Sequence, residues 1–131
     1  LLSETTRPAP SLYPVTTTYT YDAAGRRTRR AGAVQTPIAY TYDGANRLTT
    51  VTQGTSVVTL TSDAANRRTA LGLPNGTRTE YGYDAASRVT ALTYKAGAAA
   101  LGTLTYGYDG AGNRVSIGGT WARLLHARRA P

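Results

Sequence analysis

The acidic side chains have the most scope for chemistry in this 131-residue chain, and they are few: Asp22, Asp43, Asp63, Asp84, Asp109, Glu4 and Glu80. Two facing carboxylates could run general acid–base hydrolysis, and carboxylates gathered around histidine could hold a metal. The chain has one histidine, His126, and no cysteine. Cysteine nucleophiles, thiolate zinc sites, iron–sulfur clusters and disulfide staples are thereby excluded, and a Ser/His/Asp triad or metal centre would depend on His126 alone. The glycines do not open a helix after a strand, so they form no phosphate cradle. The aspartates instead recur at steps of 21, 20, 21 and 25 residues, and these five are every Asp in the chain. Such spacing assigns them to a repeated turn, a role that accounts for each without catalysis. The chain is expected to be no enzyme and to carry no cofactor or metal.

Each aspartate opens one motif: Tyr21-Asp22-Ala23-Ala24-Gly25-Arg26, Tyr42-Asp43-Gly44-Ala45-Asn46-Arg47, Ser62-Asp63-Ala64-Ala65-Asn66-Arg67, Tyr83-Asp84-Ala85-Ala86-Ser87-Arg88 and Tyr108-Asp109-Gly110-Ala111-Gly112-Asn113-Arg114. The motif reads as a β-hairpin tip. The Asp accepts backbone N–H groups two or three residues on, and two small residues turn the corner. Gly25, Asn46, Asn66 and Gly112 then stand where φ must be positive. Ser87 is the exception and carries about 1 kcal/mol of left-handed strain.

Before each turn the pattern alternates with period two. Tyr19 and Tyr21, Tyr40 and Tyr42, Tyr81 and Tyr83, and Tyr106 and Tyr108 share one face, while threonine, alanine and glycine fill the other. That is the signature of half-buried strands. Pro74-Asn75-Gly76 and Gln53-Gly54 read as turns between hairpins, and Lys95–Gly102 as a longer loop that accounts for the last step of 25. Apolar residues make up 40% of the chain, but much of this is alanine, so the tyrosines must supply the missing core between repeats. The expected fold is all-β: tandem antiparallel β-hairpin repeats in a strip or spiral sheet. Residues 1–14 read as irregular, 15–118 as five repeats, and 119–131 as an atypical, disordered or truncated tail. A chain that begins at Leu1 and ends in an Ala/Arg/Pro run reads as a fragment. No apolar run is long enough to span a bilayer as a helix. A strip with open edges is expected to self-associate.

Fifteen Lys and Arg against seven Asp and Glu leave a net charge of +8. Arg26, Arg47, Arg67 and Arg88 recur just past the turns and would form a column along one rim of a stacked sheet. Two readings compete. The arginines pair with aspartates or turn carbonyls of neighbouring repeats and lie against tyrosine rings. Alternatively, Arg26, Arg27, Arg29, Arg30, Arg47, Arg67 and Arg88 make a basic stripe for a polyanion. The first reading is preferred, and nucleic acid is not an expected partner. An exposed tyrosine row would offer a stacking surface for carbohydrate.

The Tyr-Asp-x-x-Gly/Asn-Arg-Leu/Val-Thr pattern at a spacing near 21 resembles the YD repeats of RHS-repeat proteins over roughly residues 15–118. In that family the repeats are hairpins joined edge to edge into a long spiralling sheet, a hollow shell around a C-terminal toxin or effector. Related repeats occur in teneurins and insecticidal toxin complexes. The resemblance implies a structural shell segment of a secreted or cell-surface bacterial polymorphic toxin, with the rest of the shell and the enclosed effector as partners. A carbohydrate- or polyanion-binding module is the rival reading. The family's self-cleaving site and toxin domain have no counterpart in these residues.

Overall fold

Residues 2–4 and 16–122 are described by the structure, a computed structural model. Their regular structure is strand: β1 (Leu2–Glu4), β2 (Thr17–Tyr21), β3 (Arg27–Gly32), β4 (Gln35–Tyr42), β5 (Leu48–Gln53), β6 (Ser56–Ser62), β7 (Arg68–Gly72), β8 (Thr77–Tyr83), β9 (Val89–Ala96), β10 (Ala99–Tyr108) and β11 (Arg114–Gly118). Threonine, tyrosine and valine dominate these segments, side chains that suit a pleated, half-buried surface. The chain divides into two compact units, Leu1–Thr59 and Leu60–Pro131, with the boundary inside β6. In the first unit β1 to β5 and the start of β6 follow one another antiparallel in chain order. In the second, β7 to β11 do the same. The fold is the all-β, open antiparallel sheet of hairpins that the repeat predicts.

Aspartate turns alternate with plain ones. Among the latter, Gly54-Thr55 and Gly97-Ala98 are two-residue turns, as is Ala33-Val34, which carries no Gly or Asn signal. The turn at Leu73–Thr77 copies the aspartate turns without their carboxylate. Leu73 N–H donates to Thr77 O at 2.8 Å and Gly76 N–H to Leu73 O at 3.0 Å; the same pair in the first repeat is Asp22 to Arg26 and Gly25 to Asp22, both at 3.0 Å. Here the Asn75 side chain does the bracing, accepting Thr77 N–H at 3.1 Å.

Beyond the Asp22, Asp43, Asp84 and Asp109 turns the returning strand carries one extra residue, so the register shifts. Thr20 faces Arg29 but Tyr21 faces Arg27; Thr41 faces Thr50 but Tyr42 faces Leu48. The same shift recurs between Gly82 and Tyr83 and between Gly107 and Tyr108. Thr28, Thr49, Thr90 and Val115 are the bulged residues. Two of these threonines bond back across the hairpin, Thr28 to Thr20 at 3.2 Å and Thr49 to Thr41 at 2.8 Å. Thr69, the corresponding residue of the third repeat, donates to Thr61 at 3.1 Å. A bulge adds local twist to the strand that carries it.

Four expectations need correction. Lys95–Gly102 is not a loop: β9 and β10 run through it to the Gly97-Ala98 turn, so the step of 25 reflects a longer hairpin with Leu101 bulged out. Residues 1–14 are not uniformly irregular, because β1 pairs with β2 through Leu2↔Tyr19 and Glu4↔Thr17. Residues 119–122 are docked, with the Trp121 ring stacked on Tyr94 at 4.6 Å between centroids and the Trp121 backbone N–H donating to Thr103 O at 3.2 Å. The remainder of the tail, 123–131 with His126, lies outside the described residues, as do 5–15 of the N-terminal segment. Finally, the tyrosines do not make an interior. Among the described residues only Thr17, Ala70, Gly102 and Ala122 are buried, and Tyr21 is 42% exposed. Within each unit the strands form a single layer, with no second layer of that unit to close over its face.

The docked turn depends on a missing side chain. Thr103 N–H donates to Thr120 Oγ1 at 2.8 Å, and the Trp121 indole lies directly on Gly102, where an added Cβ would collide with it. Gly102→Ala is therefore expected to cost about 1–3 kcal/mol by overpacking and to expel the indole. Trp121 is the only tryptophan, so a red shift of its emission checks this directly.

Candidate functional site

The repeated aspartate is where each unit of the site begins. Its Oδ1 accepts the N–H groups two and four residues on: Ala24 at 3.0 Å and Arg26 at 2.9 Å for Asp22, Ala45 at 2.9 Å and Arg47 at 3.0 Å for Asp43. Asp63 takes Ala65 at 2.9 Å and Arg67 at 3.0 Å, and Asp84 takes Ala86 and Arg88, both at 2.9 Å. Oδ2 then accepts the guanidinium Nε of the same arginine, at 2.7 Å for Arg26, Arg47 and Arg88 and 2.8 Å for Arg67. The fifth copy departs: Asn113 stands where the others have arginine and donates its amide to Asp109 Oδ2 at 2.9 Å. Arg114, one residue later, lies over Tyr106 instead. Both oxygens of every turn carboxylate are thus engaged. The arrangement holds the five carboxyls below their usual range. The backbone N–H of the following arginine is the main cause for Asp22, Asp43 and Asp84, the Arg67 guanidinium for Asp63, and the Asn113 amide for Asp109.

The turn backbone bends through a left-handed residue, with φ of 75° at Gly25, 63° at Asn46, 61° at Asn66, 62° at Ser87 and 87° at Gly112. Asn tolerates this region, while serine is strained there.

The arginine reaches past its own repeat. Arg26 Nη1 donates to the Asp43 carbonyl at 3.3 Å and to Asn46 Oδ1 at 2.8 Å, and its guanidinium lies 5.0 Å from the Tyr42 ring centroid. Arg67 repeats this on Asp84 O at 3.3 Å, Ser87 Oγ at 3.3 Å and the Tyr83 ring at 4.8 Å. Arg88 does so on Asp109 O at 3.2 Å and the Tyr108 ring at 4.8 Å. The same tyrosines bond backwards. Tyr42 Oη donates to Arg27 O at 2.8 Å, Tyr83 to Arg68 O at 2.8 Å and Tyr108 to Val89 O at 2.7 Å. One planar cation thus ties its own turn carboxylate to the next turn's carbonyl and ring, a task that suits the guanidinium fork and not an ammonium. Isolated exposed ion pairs are worth little; here the pair is one part of a clamp with several contacts.

Tyr19, Tyr40, Tyr81 and Tyr106 sit two residues before these positions and are half-buried. Arg27 lies over Tyr19 at 4.5 Å. The dense basic cluster of β3 is split by the pleat. Arg29 faces Thr20 and Ala39, whereas Arg30 faces Tyr19 and Ile38. Arg26 belongs to the clamp. Glu80, on the face away from the tyrosines, pairs with Lys95 at 2.8 Å and Arg78 at 3.4 Å. Among the described residues no three His, Cys, Asp or Glu side chains are grouped to hold a metal. Three elements of the site escaped the sequence reading: the tyrosine hydroxyl bond, the bulged threonine and the acceptor role of Asn46 and Ser87. Threonine at the sixth position after Asp22, Asp43, Asp63 and Asp84 was the available signal for the bulge.

Two outcomes follow from this geometry. Ser87→Asn keeps an acceptor for Arg67 in a residue that tolerates positive φ. It should raise stability by about 0.5–1 kcal/mol, read as a higher thermal midpoint. The depressed carboxyl pKa values give the sign of the acid response: their contribution is complete above the unfolded value and is lost as pH falls through the folded one. The thermal midpoint should be level from about pH 7 to 5 and fall below about pH 4, measured by circular dichroism melts; a level profile to pH 2 would contradict it.

Residues 63–99 match the family model RHS Repeat. No curated protein matches the chain in sequence. Among solved structures, the crystal structure of TcdB2-TccC3-Cdc42 is 29% identical with a TM-score of 0.71, over 80% of this chain and 5% of that one. The crystal structure of TcdB2-TccC3 is 28% identical with a TM-score of 0.71, over 81% and 6%. That of TcdB2-TccC3-TEV is 28% identical with a TM-score of 0.70, over 81% and 5%. The chain therefore spans 5–6% of the length of the structures it resembles. The matched stretch begins at one aspartate turn and includes the next with its clamp, so residues 63–99 match the RHS repeat, and over four-fifths of the chain the fold is similar to those structures.

Proposed function

We propose that this segment is a length of wall in a β-sheet shell that encloses or presents a C-terminal toxin or effector domain, in a secreted or cell-surface protein. The observation that carries this reading is the clamp. Arg26, Arg67 and Arg88 direct their guanidinium groups to the neighbouring repeat, so the best-placed charges serve cohesion between hairpins. A sheet one layer thick with almost no buried side chains suits a wall better than a globular domain. The likeness to TcdB2-TccC3 structures, of which this chain matches a small part, fits a segment of a larger assembly. The role is non-catalytic. In its support, each turn carboxylate has both oxygens engaged, which leaves none of the five to act as acid or base.

The test is the native protein, captured from source cells with an antibody to residues 84–108 and examined by electron microscopy and proteolysis. A large hollow particle, with a non-repeat domain protected from protease until the particle is opened, is the expected result. A product no larger than this chain that binds heparin with a steep salt dependence would overturn the proposal and establish the polyanion-binding alternative.

A further inference from the structure

β1 lies in a segment without a repeat motif, yet it is paired as a repeat strand. Wherever the register between successive repeats is defined, the seventh residue after one turn aspartate faces the fourth residue before the next. Arg29 faces Ala39, Thr50 faces Thr59, Ala70 faces Glu80 and Ala91 faces Thr105. Ser3 faces Thr18, the fourth residue before Asp22. Ser3 therefore occupies the seventh position of a repeat. The arginine position of that repeat, three residues earlier, falls immediately before Leu1.

A second observation concerns what such an arginine would meet. Tyr42, Tyr83 and Tyr108 each lie under the arginine of the preceding repeat. Tyr21 is the equivalent residue of the first repeat. It is 42% exposed, and among the described residues no guanidinium lies over its ring. Arg27, its neighbour across the hairpin, lies over the Tyr19 ring and meets Tyr21 through a side-chain hydrogen bond, not over its ring. The Asp43, Asp84 and Asp109 carbonyls each accept one turn N–H and one guanidinium N–H. The Asp22 carbonyl accepts Gly25 N–H at 3.0 Å, which leaves its second lone pair for a further donor. At the opposite end of the repeat series Asn113 replaces arginine, so a second copy's fifth turn could not supply the missing cation.

We infer that β1 is the returning strand of a further repeat, and that Tyr21 with the Asp22 carbonyl is a receptor for that repeat's arginine, the residue immediately preceding Leu1 in the parent chain. The recognition is the clamp already described: a cation over an aromatic face, with an N–H to a turn carbonyl. Its basis is strand register and ring exposure, so it stands whether or not the wall encloses an effector.

The parent gene offers the first test. The six codons before that for Leu1 should read Tyr-Asp-x-x-Gly/Asn-Arg, and any other residue at the last position overturns the inference. The second test adds Tyr-Asp-Ala-Ala-Gly-Arg before Leu1 and compares it with the same extension ending in Gln. The arginine form should melt roughly 3–6 °C higher, and Tyr21→Ser should abolish that difference. Serine is chosen because Ser62 occupies the same position in the third repeat. An upfield ring-current shift of the added arginine Nε–H reports the contact without any substitution at Tyr21. Equal melting of the two extensions, a difference that survives Tyr21→Ser, or an unshifted Nε–H would each overturn the receptor. Failure of the shell reading would appear in the native particle and leave these results unchanged.

Discussion

The cohesion of this molecule rests on a planar cation held between two hairpins. An antiparallel ladder sets strand against strand, but backbone pairing alone leaves a thin ribbon whose faces meet only water. Arg26, Arg67 and Arg88 add a side-chain layer to that ladder. Each is oriented by its own carboxylate and is therefore presented at a fixed height to the next repeat's ring and carbonyl. Because the aspartate also braces the turn that carries the arginine, local turn stability and contact between repeats are one network rather than two. This is how repeats without a core can be held by nearest-neighbour contacts.

The left-handed residue of each turn shows that coupling at the level of the backbone. Glycine would be the unstrained choice, and Gly25 and Gly112 take it. Asn46 and Ser87 instead adopt positive φ and place an acceptor under the arginine of the previous repeat. The strain is a local cost offset by a contact in the next unit, so neither turn can be judged alone. Ser87, strained when its own turn is considered in isolation, becomes intelligible once Arg67 is seen to reach it.

The two faces of the sheet serve different purposes. On one, tyrosines alternate with arginines and close the gaps between repeats without forming an interior. On the other, threonine hydroxyls bond across the hairpin at the bulge, and Glu80 draws in Lys95 and Arg78. At the C-terminal end of the described chain the pattern changes in a coordinated way. Asn113 replaces the clamp arginine, and Gly119–Ala122 turns back so that Trp121 settles on Tyr94 over the bare backbone of Gly102.

Spacing and residue type alone determined the hairpins, the turn role of the aspartates, the tyrosine face and the pairing of arginine with carboxylate or ring, because those are local consequences of a period-two pattern punctuated by turns. Tertiary structure decided what depends on a partner strand. Lys95–Gly102 looks like a loop from its glycines and alanines, but the register of β9 with β8 and of β10 with β9 keeps it in the sheet. Leu2–Glu4 has no motif of its own and becomes a strand only against Thr17–Tyr19. Trp121 has no periodic signal, since its site is made by the absence of a side chain at Gly102. The bulge and the tyrosine-to-carbonyl bonds join residues whose relation appears only once the strands are aligned. A repeat makes its own unit readable in one dimension; how one unit grips the next is a matter of geometry between strands.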